Sequence, residues 1–201
     1  MVLLKRVIFA APLVLLCLLG SCTTTKFNSV WKDTSYEGYI KSVMVVGIAE
    51  RADVRKFFER EFAKQLKECG VDAIASVDAV TSEEELTEDV ILAAAREQGT
   101  DMILVTHILS RGSTTSYHLP EHVTVFNAYY HWAYAYVHGP LYYAQGSQSV
   151  LLATNLYETK TEKLIWSVTT KTLDVHESKF EIIISKSKGV IKNLRKNKLL
   201  Q

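Results

Sequence analysis

The sequence alternates continuous apolar runs with amphipathic segments, and this alternation restricts the possible folds more than any other feature. Residues 43–49 (VMVVGIA) and 102–109 (MILVTHIL) are apolar almost throughout, as expected of strands that are buried on both faces. A third strand is predicted from Val71 to Val80. Because these runs are separated by segments of helical period, they indicate βαβ crossovers and a sheet with parallel neighbours.

Two amphipathic helices are predicted between the strands. The first starts near Asp53, a candidate N-cap, and stops at Gly70, a residue typical of helix ends. Its apolar face consists of Val54, Phe57, Phe58, Phe62, Leu66 and Cys69. The second is capped by Thr87 and runs to Gly99, with Val90, Ile91, Ala94 and Ala95 on its apolar face.

The second half of the chain predicts antiparallel pairing and a last helix. Residues 149–157 and 163–172 are strand-like and are separated by a short polar segment, so they pair most simply as a hairpin. Ser178 and Glu181 form a capping box before the last helix, which ends in basic residues. We therefore expect an α/β fold with a mixed, partly parallel sheet of five to six strands, three helices and an aromatic, hairpin-like insert.

Residues 1–21 have the three parts of a secretion signal. Lys5 and Arg6 precede the apolar run Val7 to Leu19, and Gly20 and Ser21 follow it. A helix of 13 residues rises about 20 Å, which is too short for a hydrocarbon core of roughly 30 Å. We therefore expect cleavage rather than a transmembrane helix.

Cys22 is the predicted lipid attachment site. The stretch from Leu19 to Cys22 resembles the bacterial lipobox, in which the cysteine thiol accepts a diacylglyceryl unit and acyl chains such as palmitate complete the anchor. Thr23, rather than an aspartate, follows the cysteine, which resembles an outer-membrane address facing the periplasm. Residues 22–40 are expected to form the lipidated N-terminus and a linker or docking strap without strand period. Residues 41–201 are expected to form a single domain.

The charge argues against a nucleic-acid-binding protein, and the cysteine content argues against an internal disulfide. Without residues 1–21 the chain carries 21 basic and 22 acidic residues, so it lacks the basic footprint of a nucleic-acid-binding protein. Cys69 has no partner once Cys22 carries lipid, and it is interpreted as a small hydrophobe at a helix end rather than half of a disulfide.

Three pieces of the sequence carry a resemblance to a family of uncharacterised bacterial lipoproteins. They are "VMVVGIAERADVRKFFEREFAKQLKECGVDAIAS", "GTDMILVT" and "LLATNLYETKTEKLIWSVTTKTLD". The resemblance implies a small α/β envelope domain and a membrane address, and it supplies no catalytic residue. At fold level it is similar to the N-terminal domain of the Tol translocation protein, to curli secretion lipoproteins and to lipoprotein activators of peptidoglycan synthases, and fold alone does not determine function.

Residues 111–148 form an insert that is rich in aromatic residues and histidine. Trp132, Tyr134 and Tyr136 alternate with small apolar residues, a strand period that places three aromatic rings on one face. Aromatic side chains with polar tips are enriched at binding surfaces, so these three residues are a candidate partner surface. The alternatives are that the arm covers the open edge or face of its own sheet, or that it contacts a bilayer or a glycan.

The sequence contains no recognised catalytic motif, so we expect binding rather than catalysis. His118 and His122 are four residues apart, but Pro120 lies between them and disfavours a helix. Glu50 and Asp53 could be read as a catalytic pair near the C-terminal end of a strand, but a solvated charge and a helix cap explain them. No nucleophile elbow, Walker loop or metalloprotease helix is present. We expect no metal, no cofactor and no enzyme, but an envelope lipoprotein that binds or scaffolds another envelope protein or itself. The alternative is a tethered hydrolase or metal-binding protein that uses His118, His122, His131 and His138.

Overall fold

Six strands form one open sheet in the computed structural model, which describes residues 26–49, 51–80, 87–111, 126, 150–172 and 179–201. In chain order the elements are β1 (Lys26–Lys32), β2 (Ser42–Ile48), α1 (Ala52–Lys67), β3 (Asp72–Ala75), α2 (Ser76–Ala79), α3 (Glu88–Glu97), β4 (Met102–Arg111), β5 (Val150–Glu158), β6 (Leu164–Thr172) and α4 (Lys179–Lys196). The strand order is β1-β6-β5-β4-β2-β3. Strand β2 is parallel to β3 and β4, and the other pairs are antiparallel. The expected mixed α/β fold is confirmed.

Helices cover both faces of the parallel part of the sheet. Val43 and Val45 of β2 belong to the apolar cluster that includes residues of α1 and α4, so we name this side the α1 face. Met44 and Val46, which point the opposite way because side chains alternate along a strand, belong to the cluster that includes residues of α3, on the α3 face. All four side chains have no exposed area, which explains the continuous apolar run in the sequence.

The expectation that the segment before residue 40 has no strand structure is wrong for Lys26–Lys32. These residues form β1, which pairs antiparallel with β6 and lies at one edge of the sheet. The register shifts between Phe27 and Ser29, so a bulge interrupts the alternation by which a strand is recognised in a sequence. The chain continues from β1 into a turn in which Asp33 N–H donates to the Ile165 carbonyl, 2.9 Å away.

The expected strand from Val71 to Val80 is also wrong in its length. Strand β3 ends at Ala75, and Ser76 begins the four-residue helix α2. The first helix is confirmed, but its N-cap is Arg51 rather than Asp53. Asp53 lies in the first turn of α1, where an acidic side chain suits the positive end of the helix. Thr87 does cap α3, because its hydroxyl accepts a hydrogen bond from Val90 N–H at 3.4 Å.

The hairpin predicted in the second half is confirmed, and a further pairing is found. Strands β5 and β6 form the expected hairpin, and β4 pairs directly with β5 although the insert separates them in sequence. Helix α4 has Arg195 and Lys196 in its last turn, in agreement with the expectation that the last helix ends in basic residues. The chain then returns to the core: Leu199 is fully buried and its carbonyl accepts a hydrogen bond from Ile40 N–H at 2.9 Å. Ser178 of the predicted capping box lies outside the described residues.

Candidate functional site

A buried carboxylate joins α1 to the sheet. Glu59 has no exposed area, and its Oε1 accepts from Gly47 N–H at 2.9 Å and from Arg55 Nε at 2.8 Å. Its Oε2 accepts from the Ser76 hydroxyl at 2.7 Å and from Val77 N–H at 2.8 Å. The Arg55 guanidinium also donates to the Ser76 hydroxyl at 3.0 Å. One side chain therefore connects β2, α1 and the start of α2.

The hydrogen bonds of Glu59 indicate a structural role. A carboxylate offers about four lone-pair sites, and Glu59 uses four donors. A general base needs a free lone pair within reach of the proton that it removes, and this carboxylate presents none to solvent. The sequence carried a signal for it: Glu59 lies on the apolar face of α1, three residues before Phe62 and four after Arg55, where a charged residue must be paired.

The sequence signal at Asp53 has a different outcome. Asp53 is exposed and forms an ion pair with Arg51 at 2.6 Å. The hydrogen bond from Arg51 is the largest cause that lowers the pKa of Asp53 below its ordinary value. Glu50, the second member of the pair considered from the sequence, lies outside the described residues. Cys69 is half-buried and packs against the core on the α1 face, as expected of a small hydrophobe.

A second polar cluster lies on the α3 face of the antiparallel half. The Ser167 hydroxyl donates to Asn155 Oδ1 at 2.6 Å, and Asn155 Nδ2 donates to the Tyr157 hydroxyl at 3.2 Å. Asn155 is 5% exposed and Tyr157 is fully buried. Burial raises the pKa of the Tyr157 phenol, so it remains protonated at neutral pH. These side chains bind one another, which stabilises the pairing of β5 with β6.

Between the end of β4 at Arg111 and the start of β5 at Val150, the structure describes Phe126, which packs against this second cluster. Its ring meets Tyr157 edge to face with centroids 5.5 Å apart, and its N–H donates to the Glu162 carbonyl at 2.9 Å. The insert leaves β4 after Arg111 and enters β5 at Val150, whereas Glu162 lies at the opposite end of β5. At Phe126, therefore, the insert lies against its own sheet, which agrees with the covering alternative at that residue.

His107 is the buried histidine of β4. It is 1% exposed and lies on the α3 face, since it alternates with Ile103 and Val105. Burial lowers the pKa of His107 to about 3, because charging an imidazole in an apolar surrounding loses its hydration. The side chain is neutral at physiological pH.

An exposed apolar surface lies along β1. Its members Phe27, Val30 and Trp31 are 39%, 43% and 47% exposed, and we name them the β1 edge surface. In the register with β6, Phe27 pairs with Thr170 and Val30 with Val168, whereas Trp31 pairs with Ser167. Because paired residues point to the same face, the bulge places Phe27 with Val30 on the α1 face and Trp31 on the α3 face. The same bulge hides this surface from a period-two reading of the sequence.

The other predicted site residues lie outside the described residues. They are Cys22, the aromatic residues Trp132, Tyr134 and Tyr136, and the histidines His118, His122, His131 and His138. Among the residues that the structure describes, no three His, Cys, Asp or Glu side chains are grouped so that they could hold a metal ion. None of the helices in those ranges is both long enough and apolar enough to cross a membrane.

Comparisons with known proteins give structural likenesses alone. No family model and no curated protein matches the sequence. The fold is similar to a PelC dodecamer subunit from Paraburkholderia phytofirmans, at 14% identity and a TM-score of 0.48, over 85% of this chain and 97% of that one. It is also similar to lipoprotein GNA1162 from Neisseria meningitidis, at 12% identity and a TM-score of 0.39, over 77% of this chain and 96% of that one. Identities this low leave function to be argued from the residues of this chain.

Proposed function

We propose that this protein is a membrane-anchored lipoprotein of the bacterial cell envelope that binds or scaffolds another envelope component and catalyses no reaction. The observation that carries the proposal is the stretch Leu19-Gly20-Ser21-Cys22, which follows a basic start and an apolar run. A thiol at this place is the group that accepts the lipid. Several acyl chains, each with about 0.8 kcal/mol per buried methylene, hold a protein on a membrane far more firmly than one chain does.

The described residues support a tethered binding domain. Sheet strand β1 begins at Lys26, four residues after Cys22, so the tether between lipid and fold is short. The buried polar side chains around Glu59 and around Asn155 have their hydrogen bonds inside the protein. Such groups stabilise a scaffold, whereas substrate chemistry needs groups that a substrate reaches.

The proposed contact with the envelope component uses the rings of Trp132, Tyr134 and Tyr136. They lie in the same insert as Phe126, whose ring and backbone are fixed to β5 and to the β5–β6 turn. An insert that is held at one point on a rigid sheet loses less conformational entropy on binding than a free loop does. The proposed address is the outer membrane, on its periplasmic side, because Thr23 follows Cys22.

Acyl labelling tests the anchor. Cys22→Ala should abolish incorporation of labelled palmitate and leave an uncleaved or released precursor. Cys69→Ala, which removes the other cysteine of the mature chain, is the matched control and should be labelled, processed and sedimented with membranes like the wild type. Equal labelling of Cys22→Ala and wild type would exclude the lipoprotein function. Separation of inner and outer membranes tests the location: the wild type should be found in the outer membrane, and Thr23→Asp should move the protein to the inner membrane.

Crosslinking in intact envelopes tests the binding role. Wild type should yield a specific crosslinked species that is lost when Trp132, Tyr134 and Tyr136 are all replaced by serine, while Tyr39→Ser, on the exposed surface of the described fold, retains it. The purified protein should carry no stoichiometric metal. A stoichiometric metal that is lost on replacement of His118 and His122 would favour the metal-binding alternative instead.

A further inference from the structure

The β1 edge surface has a composition that a water-exposed sheet edge rarely carries. Phe27, Val30 and Trp31 are each more than a third exposed, and within the described ranges no strand pairs with the outer side of β1. Edge strands of soluble proteins are commonly protected by charges, bulges or short length. Strand β1 has a bulge and ends in Lys32, yet it also leaves Phe27, Val30 and Trp31 exposed. Apolar side chains that are exposed close together mark contact surfaces.

The short distance along the chain between this surface and Cys22 favours the membrane as the partner. Lys26, the first residue of β1, lies four residues after Cys22, and four residues span at most about 14 Å. If Cys22 carries lipid, the N-terminal end of β1 is thus covalently confined to the neighbourhood of the bilayer. The headgroup region on each side of a bilayer is about 5–8 Å thick, so this end of β1 stays within reach of it.

The chemistry of β1 and β6 fits a headgroup layer. Tryptophan concentrates at membrane interfaces because its ring is apolar and its N–H stays hydrated. Lys32 and Lys171 flank the surface, and neither strand contains an acidic residue; lysines near a membrane are attracted by anionic lipids. The free backbone groups of an edge need water or polar headgroups as partners, which limits the depth of contact to the interface.

We infer that the β1 edge surface meets the membrane that holds Cys22 edge-on, in the lipid headgroup region, with Phe27 on one face of the sheet and Trp31 on the other among the headgroups and Lys171 near anionic lipid. The inference rests on the proposed lipidation of Cys22. A second copy of this chain is a poorer occupant. The bulge after Phe27 and the charge of Lys32 interrupt the regular, uncharged edge that strand-to-strand pairing requires.

Fluorescence quenching in vesicles tests the inference on the full processed lipoprotein. The vesicles contain phosphatidylethanolamine with about one quarter phosphatidylglycerol, an anionic lipid, and lipids brominated at shallow or deep positions. The Trp31 signal is the difference between wild type and Trp31→Phe. We expect shallow bromines to quench it at least about twofold more than deep ones, as for a ring at the interface. Lys171→Glu should reduce this quenching, and Lys160→Glu, exposed at the β5–β6 turn, should not.

Mass spectrometry of the N-terminal peptide on the same samples separates the two failures. If Cys22 carries no lipid, the proposed function fails and the inference fails with it. If Cys22 carries lipid but bromines at neither depth quench Trp31, the inference alone is overturned. Protection of Trp31 from aqueous iodide that increases with the protein-to-lipid ratio, without bromine quenching, would identify a second copy as the occupant and would equally overturn it.

Discussion

At one edge of the sheet, β3 contributes four residues, and Ala73 and Ala75 are buried. At the other edge, β1 contributes seven residues, and three of its large apolar side chains are exposed. Strand β3 runs parallel to its neighbour and ends at Ala75, and the hydroxyl of the next residue, Ser76, donates a hydrogen bond to buried Glu59. Strand β1 is antiparallel to β6 and ends in a surface turn at Asp33.

The difference separates the part of the protein that maintains the fold from the part that is available for contacts. The β3 edge packs against α1, and buried Glu59 of α1 accepts hydrogen bonds from Ser76 and Val77 at the end of β3, so the stability of this edge depends on internal groups. At the β1 edge Phe27, Val30 and Trp31 keep 39–47% of their surface exposed, so these side chains contribute less to stability than they would in the core. Substitutions near β3 should therefore change the free energy of unfolding, whereas substitutions on β1 should change membrane contact.

The largest effect is expected for Glu59→Gln. The amide NH₂ cannot accept the hydrogen bonds that one carboxylate oxygen now accepts, and it leaves the charge of half-buried Arg55 uncompensated. Breaking a buried pair by changing one partner costs about 3–5 kcal/mol of unfolding free energy. Urea unfolding of the purified variant measures this loss.

Arg60→Gln is the matched control for Glu59→Gln. Arg60 and Asp78 form an ion pair at 2.7 Å that also joins α1 to α2, but both side chains are largely exposed. Exposed pairs contribute about 0–1 kcal/mol, so this variant should unfold close to the wild type. Equal losses in both variants would show that the connection between α1 and α2, rather than the buried carboxylate, maintains the β3 edge.

An acid-dependent loss of stability is expected from His107, in the strand where the parallel and antiparallel halves meet. Its pKa is about 3 in the folded protein and about 6.5 in the unfolded chain. The unfolded state therefore binds the proton more tightly, and stability is complete above pH 6.5 and falls as the pH is lowered toward 3. Linkage gives a loss of about 2 kcal/mol between pH 7 and pH 5 from this group.

His107→Gln isolates the contribution of His107 from that of other acid-sensitive groups. Gln has no titration in this range, so its unfolding free energy should decrease less between pH 7 and pH 5 than that of the wild type, by about the same 2 kcal/mol. The readout is the difference between the two pH profiles rather than the stability at one pH. Parallel profiles would mean that the pKa of His107 is about the same in the folded and the unfolded protein, which would contradict the prediction.

Much of this architecture follows from periodicity in the sequence. The apolar runs predicted β2 and β4 because both strands are covered on both faces, and the polar segment between β5 and β6 predicted their hairpin. Strand β1 was missed because a bulge after Phe27 breaks its alternation. The length of β3 was overestimated because Ser76 ends it through a tertiary bond to Glu59, seventeen residues away, which no local pattern contains.

The candidate sites were less predictable than the fold. The network of Glu59 depends on contacts between three elements, although its charge on an apolar helix face was a usable signal. The β1 edge surface depends on which strand lies at the edge, and sheet order is a long-range property. Phe126 appeared in the sequence as one aromatic residue among many, and its contact with Tyr157 is a long-range contact that no local pattern predicts. Cys22 and the aromatic residues near 134 remain predictions.

A moderate loss is expected for Gly47→Ala, which acts on the approach of α1 to β2. A Cβ at Gly47 would lie 2.8 Å from Phe58 Cδ1, so the ring must move, and with it the hydrogen bond from Gly47 N–H to Glu59 lengthens. Crowding of this kind costs about 1–2 kcal/mol, within the usual range for overpacked cores. Thermal unfolding measures it. Phe58→Leu combined with Gly47→Ala should recover part of the loss, and no recovery would contradict the steric cause.

The smallest effect is expected for Val30→Thr, compared with the same substitution at Val45. Val30 lies on β1 and is 43% exposed, whereas Val45 lies on β2 beside β3 and has no exposed area. A hydroxyl that reaches water costs little, so Val30→Thr should change the unfolding free energy by less than about 0.5 kcal/mol. At Val45 the hydroxyl is desolvated and the loss should be about 1–3 kcal/mol.

On vesicles the order of the two effects should reverse. Val30→Thr should weaken contact between the β1 edge and the headgroups, and Val45→Thr should leave that contact unchanged in the folded protein. Equal destabilisation by the two substitutions would mean that β1 belongs to the core as much as β2 does, and the distinction between the two edges would not hold.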